Sequence, residues 1–207
     1  MTLDQYRSTA KRVADPFVSL FVRLGLTPNQ VSVVAVALAG AATVAFWLGG
    51  ANRLFYLLGG VFVFFNGALD VLDGELAREL GTDSPAGDLL DHVLDRYADI
   101  LLLVGLAAGS GRYALGLGAV TGVLMTSYLG TQAQAVGLGR VYGGLVGRAD
   151  RLVIVGVGAA VAAFVPATVA AGPLGQLGVV GGLLVLFTFV GHLTALQRFY
   201  HSYRELV

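Results

Sequence analysis

The sequence predicts an all-α polytopic membrane protein, with six transmembrane helices and an N-terminal amphipathic helix lying along the membrane surface. Three observations carry that prediction. Of the 207 residues, 56% are hydrophobic and 13% charged, against about 25% charged in an ordinary soluble domain. Six apolar runs follow one another, each near the ~20 residues that cross ~30 Å of hydrocarbon. The basic residues also fall almost entirely on alternate connections between those runs, as the positive-inside rule requires.

The first 26 residues form a juxtamembrane segment. Leu3, Tyr6, Ala10, Val13, Phe17, Leu20 and Leu24 recur at helical spacing, with Arg7, Lys11, Arg12 and Asp15 elsewhere on the wheel. Such a helix lies in the headgroup plane. Pro16 is positioned to kink it. No cleavable leader is expected, because the segment lacks an uninterrupted apolar core. Residues 27–207 form the membrane domain. Thr27 is a suitable N-cap with Pro28 in the first turn, opening the first span at Val31 to Gly50. The second span is Leu54 to Leu69 and runs on into an acidic segment. The third is Leu89 to Ala108, the fourth Tyr113 to Val136, the fifth Leu152 to Ala171 and the sixth Leu174 to Leu196. The Gly118-x3-Gly122 and Gly178-x3-Gly182 pairs are expected to permit close helix contact.

With six spans, one side carries Arg7, Lys11, Arg12, Arg23, Arg78, Arg140, Arg148, Arg151, Arg198 and Arg204, and the other only Arg53 and Arg112. Both termini are therefore expected in the cytoplasm. The formal net charge is zero and cysteine is absent. A bulk nucleic-acid binder, disulfides and a cysteine nucleophile are excluded.

Charge is unevenly placed. Nine of the 13 acids lie between Asp70 and Asp99. Asp70 sits near the cytoplasmic end of the second span, and Asp91 and Asp95 fall in the first two turns of the third. Asp70 and Asp73 share a helix face at i, i+3, and Asp91 and Asp95 share one at i, i+4. A short connection, Gly81 to Gly87, predicts that the two helices are antiparallel neighbours with four carboxylates at one level. Carboxylates so crowded need countercharge. Arg78 and Arg96 are the nearby bases in sequence. The all-oxygen donor set suits a hard divalent cation such as Mg²⁺, Mn²⁺ or Ca²⁺. Asp99, one turn deeper, either extends the pocket or pairs with a polar group on another helix. His92 is read as a packing residue, His192 as needing a polar partner within the sixth span, and His201 as surface.

The segment Asp70-x2-Asp73-Gly74-x2-Ala77-Arg78-x8-Gly87-x3-Asp91-x3-Asp95 places eight specified residues over 26 positions. It resembles the complete signature of the CDP-alcohol phosphotransferase (CDP-alcohol phosphatidyltransferase) family. The resemblance implies six membrane helices, a homodimer, and transfer of a lipid phosphate from a CDP-linked lipid to an alcohol acceptor with release of CMP. It implies two divalent cations, Mg²⁺ or Mn²⁺, on Asp70, Asp73, Asp91 and Asp95, with Asp95 also the general base. Two bridging cations supply the neutralisation and alignment that displacement at phosphorus needs. It further implies CDP contacts from Thr27, Pro28, Asn29, Gln30, Gly74, Ala77, Arg78 and Ser84.

Gly25-Leu26-Thr27-Pro28-Asn29 and Gly147-Arg148-Ala149-Asp150-Arg151-Leu152 are most similar to the phosphatidylinositol-phosphate and archaetidylinositol-phosphate synthase branch. That similarity implies an acceptor-phosphate pocket of Arg148, Arg151 and Arg198, since guanidinium forks suit phosphate. One departure stands out. Relatives in that branch carry a lysine and an arginine on the fourth helix where this chain has Gly130 and Gln132. Glycerol phosphate and inositol phosphate are the expected acceptors, with serine as an unphosphorylated alternative. A divalent-cation transporter is the reading from another class, but the acids lie at one membrane boundary and not at the midplane. An aspartate-rich prenyltransferase would share the Mg²⁺-diphosphate chemistry without the Asp-Gly-x2-Ala-Arg portion.

Overall fold

A computed structural model describes residues 7–139 and 145–207, with side chains from residue 14 onward. Leu3, Tyr6 and Arg140 lie outside the described residues, as do the side chains of Arg7, Ala10, Lys11, Arg12 and Val13. Among the described residues there are seven α-helices. They are α1 (Arg7–Arg23), α2 (Pro28–Leu48), α3 (Leu54–Leu80), α4 (Pro85–Ser110), α5 (Tyr113–Ala135), α6 (Arg148–Phe164) and α7 (Val179–Leu206). Among them α2, α3, α5 and α7 are long and apolar enough to cross a bilayer. The protein is an integral membrane protein. Large apolar side chains such as Trp47, Phe64, Leu117 and Phe189 stand exposed on its outer surface, which is the pattern of a chain solvated by lipid.

Local chemistry sets the helix ends. Thr27 caps α2 reciprocally: its Oγ1 accepts from the Gln30 N–H, and the Gln30 side chain accepts from the Thr27 N–H at 2.9 Å. At the end of α3, Gly81 turns left-handed at φ +62. The Thr82 N–H then reaches back to Ala77 O at 3.0 Å, closing the helix. Three residues later Ser84 caps α4 through the Gly87 N–H at 3.1 Å, with Pro85 in the first turn.

The fifth span is shorter than expected. It ends at Phe164, not Ala171, and α7 starts at Val179, not Leu174. Pro166 explains the stop, because the residue before a proline is driven out of the helical region; Val165 is extended at φ -103, ψ 101. Between the helices lies a small antiparallel hairpin, β1 (Val169–Ala170) with β2 (Gln176–Leu177). Arg112, from the α4–α5 connection, donates to Leu174 O and Gln176 O and so ties the hairpin down.

A closed ring of contacts runs α2, α4, α7, α6, α3 and back to α2, with α5 packed outside on α4 and α7. Helices α3 and α4, expected as antiparallel neighbours, face each other across the carboxylates without packing closely. Each packs on α2, and a cavity opens between them. Facing rows of carboxylates repel at contact distance, so room between these helices is what their sequences demand. The apolar core fills the other half of the ring, around Phe46, Val63, Leu106, Val155, Leu184 and Phe187. Helix α1 packs Ala14 and Val18 against Leu72 and Leu76 of α3, while Phe17, Leu20 and Leu24 face outward.

Small residues let the helices close. A Cβ on Gly191 would lie 2.7 Å from the Gly122 backbone, and one on Gly118 would lie 2.9 Å from the Thr188 methyl. The Gly118/Gly122 pair therefore packs α5 on α7 within the chain. The Gly178/Gly182 pair does not pack in this way: Gly178 precedes α7, and a Cβ on Gly182 meets nothing within 4 Å. Gly191→Val is expected to destabilise the fold by ~1–3 kcal/mol through overpacking, whereas Gly182→Ala leaves it unchanged or slightly stabilised. Thermal unfolding of both variants in detergent checks the contrast.

Candidate active site

The cavity between α3 and α4 has a volume of about 2300 Å³. Its polar end is built from Asp70, Asp73, Asp91 and Asp95. Its other end is an apolar groove lined by Val61, Phe64 and Phe65 of α3 and by Val153, Val157 and Ala160 of α6. A head site carrying charge thus continues into a slot with hydrocarbon character.

Three of the four signature carboxylates converge. Asp70, Asp91 and Asp95 each offer one oxygen, and those atoms lie within 4.8 Å of one another. All three are hard oxygen donors, so the set fits a divalent cation of the Mg²⁺ or Mn²⁺ type. Asp73 stands apart from that trio. It is buried, and its Oδ2 accepts a hydrogen bond from Ser32 Oγ of α2 at 2.6 Å.

The countercharge comes from a residue distant in sequence. Arg78 does not supply it, being paired with Glu75 at 2.6 Å. Instead Arg148, the first residue of α6, bridges two helices: Nη1 bonds Asp70 Oδ2, and Nη2 meets Asp95 Oδ1 at 2.7 Å. The start of α6 is what aims it. Asp150 accepts from the Gly147 N–H at 2.8 Å, and Arg148 and Arg151, three residues apart, then share a helix face. Arg148, expected with Arg151 and Arg198 in an acceptor-phosphate pocket, lines the same cavity as those two and bonds the carboxylates.

Asp99 resolves to a buried ion pair between helices. Its Oδ2 meets Arg151 Nη2 at 2.8 Å and Arg96 Nη2 at 3.4 Å. Arg96 also bonds Ser127 of α5 and lies 3.6 Å from Asp95. Arg198 of α7 donates to Thr126 O at 2.7 Å. Arg96, Arg148 and Arg151 each leave a buried Nε without a hydrogen-bond partner, and all four arginines line the cavity. They form a basic wall beside the acids and interleaved with them.

Of the residues expected to contact CDP, Thr27, Pro28, Asn29, Gly74, Ala77, Arg78 and Ser84 all line the cavity. Gln30 is absent from the lining, and its side chain serves the α2 cap. Gly74 is informative. A Cβ there would touch only the Arg78 head, at 3.7 Å. No neighbouring helix needs that glycine, so the bare backbone faces open cavity. On α5, Gly130 and Thr131 line the cavity and Gln132 does not. His92 has its Nδ1 3.7 Å from Asp91 and 3.8 Å from Asp88. His192 finds its partner in Thr121, at 3.4 Å.

Ser32 and Ser127 were missed from sequence. The available signal was a hydroxyl inside an apolar span, which is costly without a partner. The link from Arg148 to Asp70, 78 residues apart, had no sequence signal.

A profile of the CDP-alcohol phosphatidyltransferase family matches residues 25–196, so the chain belongs to that family of metal-dependent transferases. Its similarities are narrower than the family. The archaetidylinositol phosphate synthase of Pyrococcus horikoshii is 30% identical over 154 residues, which are 74% of this chain and 79% of that one. The phosphatidylinositol phosphate synthase of Mycobacterium tuberculosis with CDP-DAG bound is structurally similar at a TM-score of 0.75 and 27% identity, covering 93% of this chain and 94% of that one. The same enzyme in complex with manganese and citrate gives 0.76 at 26% identity, covering 92% and 88%.

Asp99→Leu would leave the buried Arg151 without its countercharge. It is expected to cost ~3–5 kcal/mol, read as a large fall in thermal midpoint. A midpoint within a degree of wild type would mean that the pair carries no stability.

Proposed function

We propose that this protein transfers the phosphatidyl or archaetidyl group of a CDP-activated lipid to a hydroxyl of a polyol phosphate, such as inositol phosphate or glycerol phosphate, and releases CMP. The single observation that carries the reading is the convergence of Asp70, Asp91 and Asp95 at the head of a cavity whose other end is an apolar groove. A reactant with a diphosphate at one end and hydrocarbon at the other matches both ends at once.

In this reading Asp70, Asp73, Asp91 and Asp95 hold two divalent cations, Mg²⁺ or Mn²⁺. When bound, the cations neutralise the diphosphate and acidify the acceptor hydroxyl. Ser32 holds Asp73 in register, since a carboxylate tied by a short hydrogen bond loses rotamer freedom. Thr27, Pro28 and Asn29 at the start of α2, with Ser84 at the start of α4, embrace the cytidine nucleotide, and Gln30 stiffens that turn. Gly74 and Ala77 let the nucleotide lie against the α3 backbone, and Arg78 holds diphosphate. Arg151 and Arg198 bind the acceptor phosphate, with Asp99 fixing the Arg151 head. The acceptor oxygen attacks the β-phosphorus and loses its proton to Asp95. The bond between the β-phosphorus and the CMP oxygen breaks, and CMP leaves with the electron pair.

The membrane arrangement completes the proposal. Helices α2–α7 all cross the bilayer. Helix α6, at 17 residues, spans about 25 Å at 1.5 Å per residue. Helix α1 lies in the interfacial plane, so residues 1–26 and 27–207 divide as surface helix and membrane domain. Ten basic residues against two support cytoplasmic termini and a cytoplasmic site. The family resemblance supports a homodimer.

Asp95→Asn is expected to lower CMP release from a CDP-lipid by about 10²-fold or more in a protein that keeps its melting temperature. Turnover at the wild-type rate would remove Asp95 as base. EDTA should abolish release, and Mg²⁺ or Mn²⁺ should restore it. Arg151→Ala should raise the acceptor KM far more than the CDP-lipid KM. Equal changes would contradict its assignment to the acceptor. A screen of inositol phosphate, glycerol phosphate, inositol and serine against CDP-diacylglycerol and CDP-archaeol identifies both substrates.

A further inference from the structure

Two of the three carboxylates that converge are also the ones that Arg148 binds. Its guanidinium forks across two helices, onto Asp70 Oδ2 of α3 and Asp95 Oδ1 of α4. Two members of the converging trio are therefore engaged by a side-chain cation. We propose that Arg148 is a tethered cation that competes with the divalent cations for Asp70 and Asp95, and that it is released from them when those cations bind. This inference rests on the metal-binding reading above.

A guanidinium and a divalent cation held by the same pair of carboxylates repel each other, because both are positive and stand a few ångströms apart, so binding of one weakens binding of the other. Arg148 lines the cavity, so its head has open space beside it. It is the first residue of α6, preceded by the cap residue Gly147, so a change of side-chain torsions is enough to move it. Its buried Nε makes no hydrogen bond, so leaving the carboxylates gives up two contacts and not a full set. Released, the head remains in the cavity beside the Arg151 wall, where charge-assisted bonds to a phosphate oxygen replace those to the carboxylates. One arginine then does two things in turn. It neutralises the crowded acids, and it joins the anion-binding wall when the divalent cations take over that neutralisation. The alternative is a permanent cross-link of α3, α4 and α6.

Titration of the EDTA-stripped full-length protein with Mn²⁺ alone, read by the loss of the free-ion electron paramagnetic resonance signal, separates these outcomes. Arg148→Gln removes the competitor and is expected to bind Mn²⁺ about tenfold more tightly than wild type. Arg148→Lys keeps the charge but loses the fork, and is expected between the two. In EDTA, Arg148→Gln should melt below wild type, because the acids have lost their countercharge, and saturating Mn²⁺ should close that gap. Unchanged or weaker Mn²⁺ binding in Arg148→Gln overturns the inference. If Arg148→Gln does not fold in EDTA, the lysine variant decides: tighter Mn²⁺ binding supports competition, and equal or weaker binding overturns it. Failure of the wild type and both variants to bind Mn²⁺ overturns the metal-binding reading, and this inference with it.

Discussion

Carboxylates gathered at the edge of a low-dielectric phase must be neutralised, and the rest of this protein is arranged around that requirement. Asp70, Asp91 and Asp95 bring their oxygens within 4.8 Å of one another. Like charges so close raise the free energy of any state that leaves them unpaired. Arg148 meets part of the demand, from a third helix. A divalent cation meets it more completely, because it brings two charges to the same oxygens. In the proposed reaction a diphosphate and its cations would complete a charge balance that the trio and Arg148 leave open.

The architecture follows from holding two acidic helix faces near each other without letting them touch. Helix α2 packs on both α3 and α4 and keeps them separated. The apolar core occupies the opposite half of the ring, where Phe46, Leu106, Leu184 and Phe187 are buried, so burial that stabilises the fold does not compete with the site for space. Close helix contacts through Gly122 and Gly191 brace the far wall. Deeper in the bundle, Asp99 between Arg96 and Arg151 lets a basic wall be built beside the acids without an unpaired buried charge.

Much of this was legible in the chain. The spans could be read from apolar runs long enough to cross a bilayer, and the acidic site from carboxylates spaced to share a helix face. The cap at Thr27 and the stop at Gly81 follow from local chemistry that needs no tertiary context. What could not be read depends on contacts between distant segments. The short α3–α4 connection made those helices neighbours, but that each packs on α2 with a cavity left between them depends on tertiary contacts. Arg148 carried the same residue type and side of the membrane as Arg151 and Arg198. Its contact with the carboxylates depends on where α6 begins relative to α3 and α4, which no local pattern encodes. The early end of α6 was signalled by Pro166, but hydropathy continues past it to Ala171 and masks the break. The Gly178/Gly182 pair had the spacing of a packing motif with no partner helix against it, because spacing alone does not say which face a neighbour occupies.

The central claim is that the acidic trio is a divalent-cation site serving phosphoryl transfer, and a crystal structure of the Mn²⁺-soaked protein with its CDP-lipid tests it most directly. The account predicts an anomalous difference peak coordinated by Asp70, Asp91 and Asp95, with the diphosphate on its open side. Anomalous density confined to the outlying acids Glu79, Asp83 and Asp88, with the trio's oxygens uncoordinated while the nucleotide is bound, would contradict it.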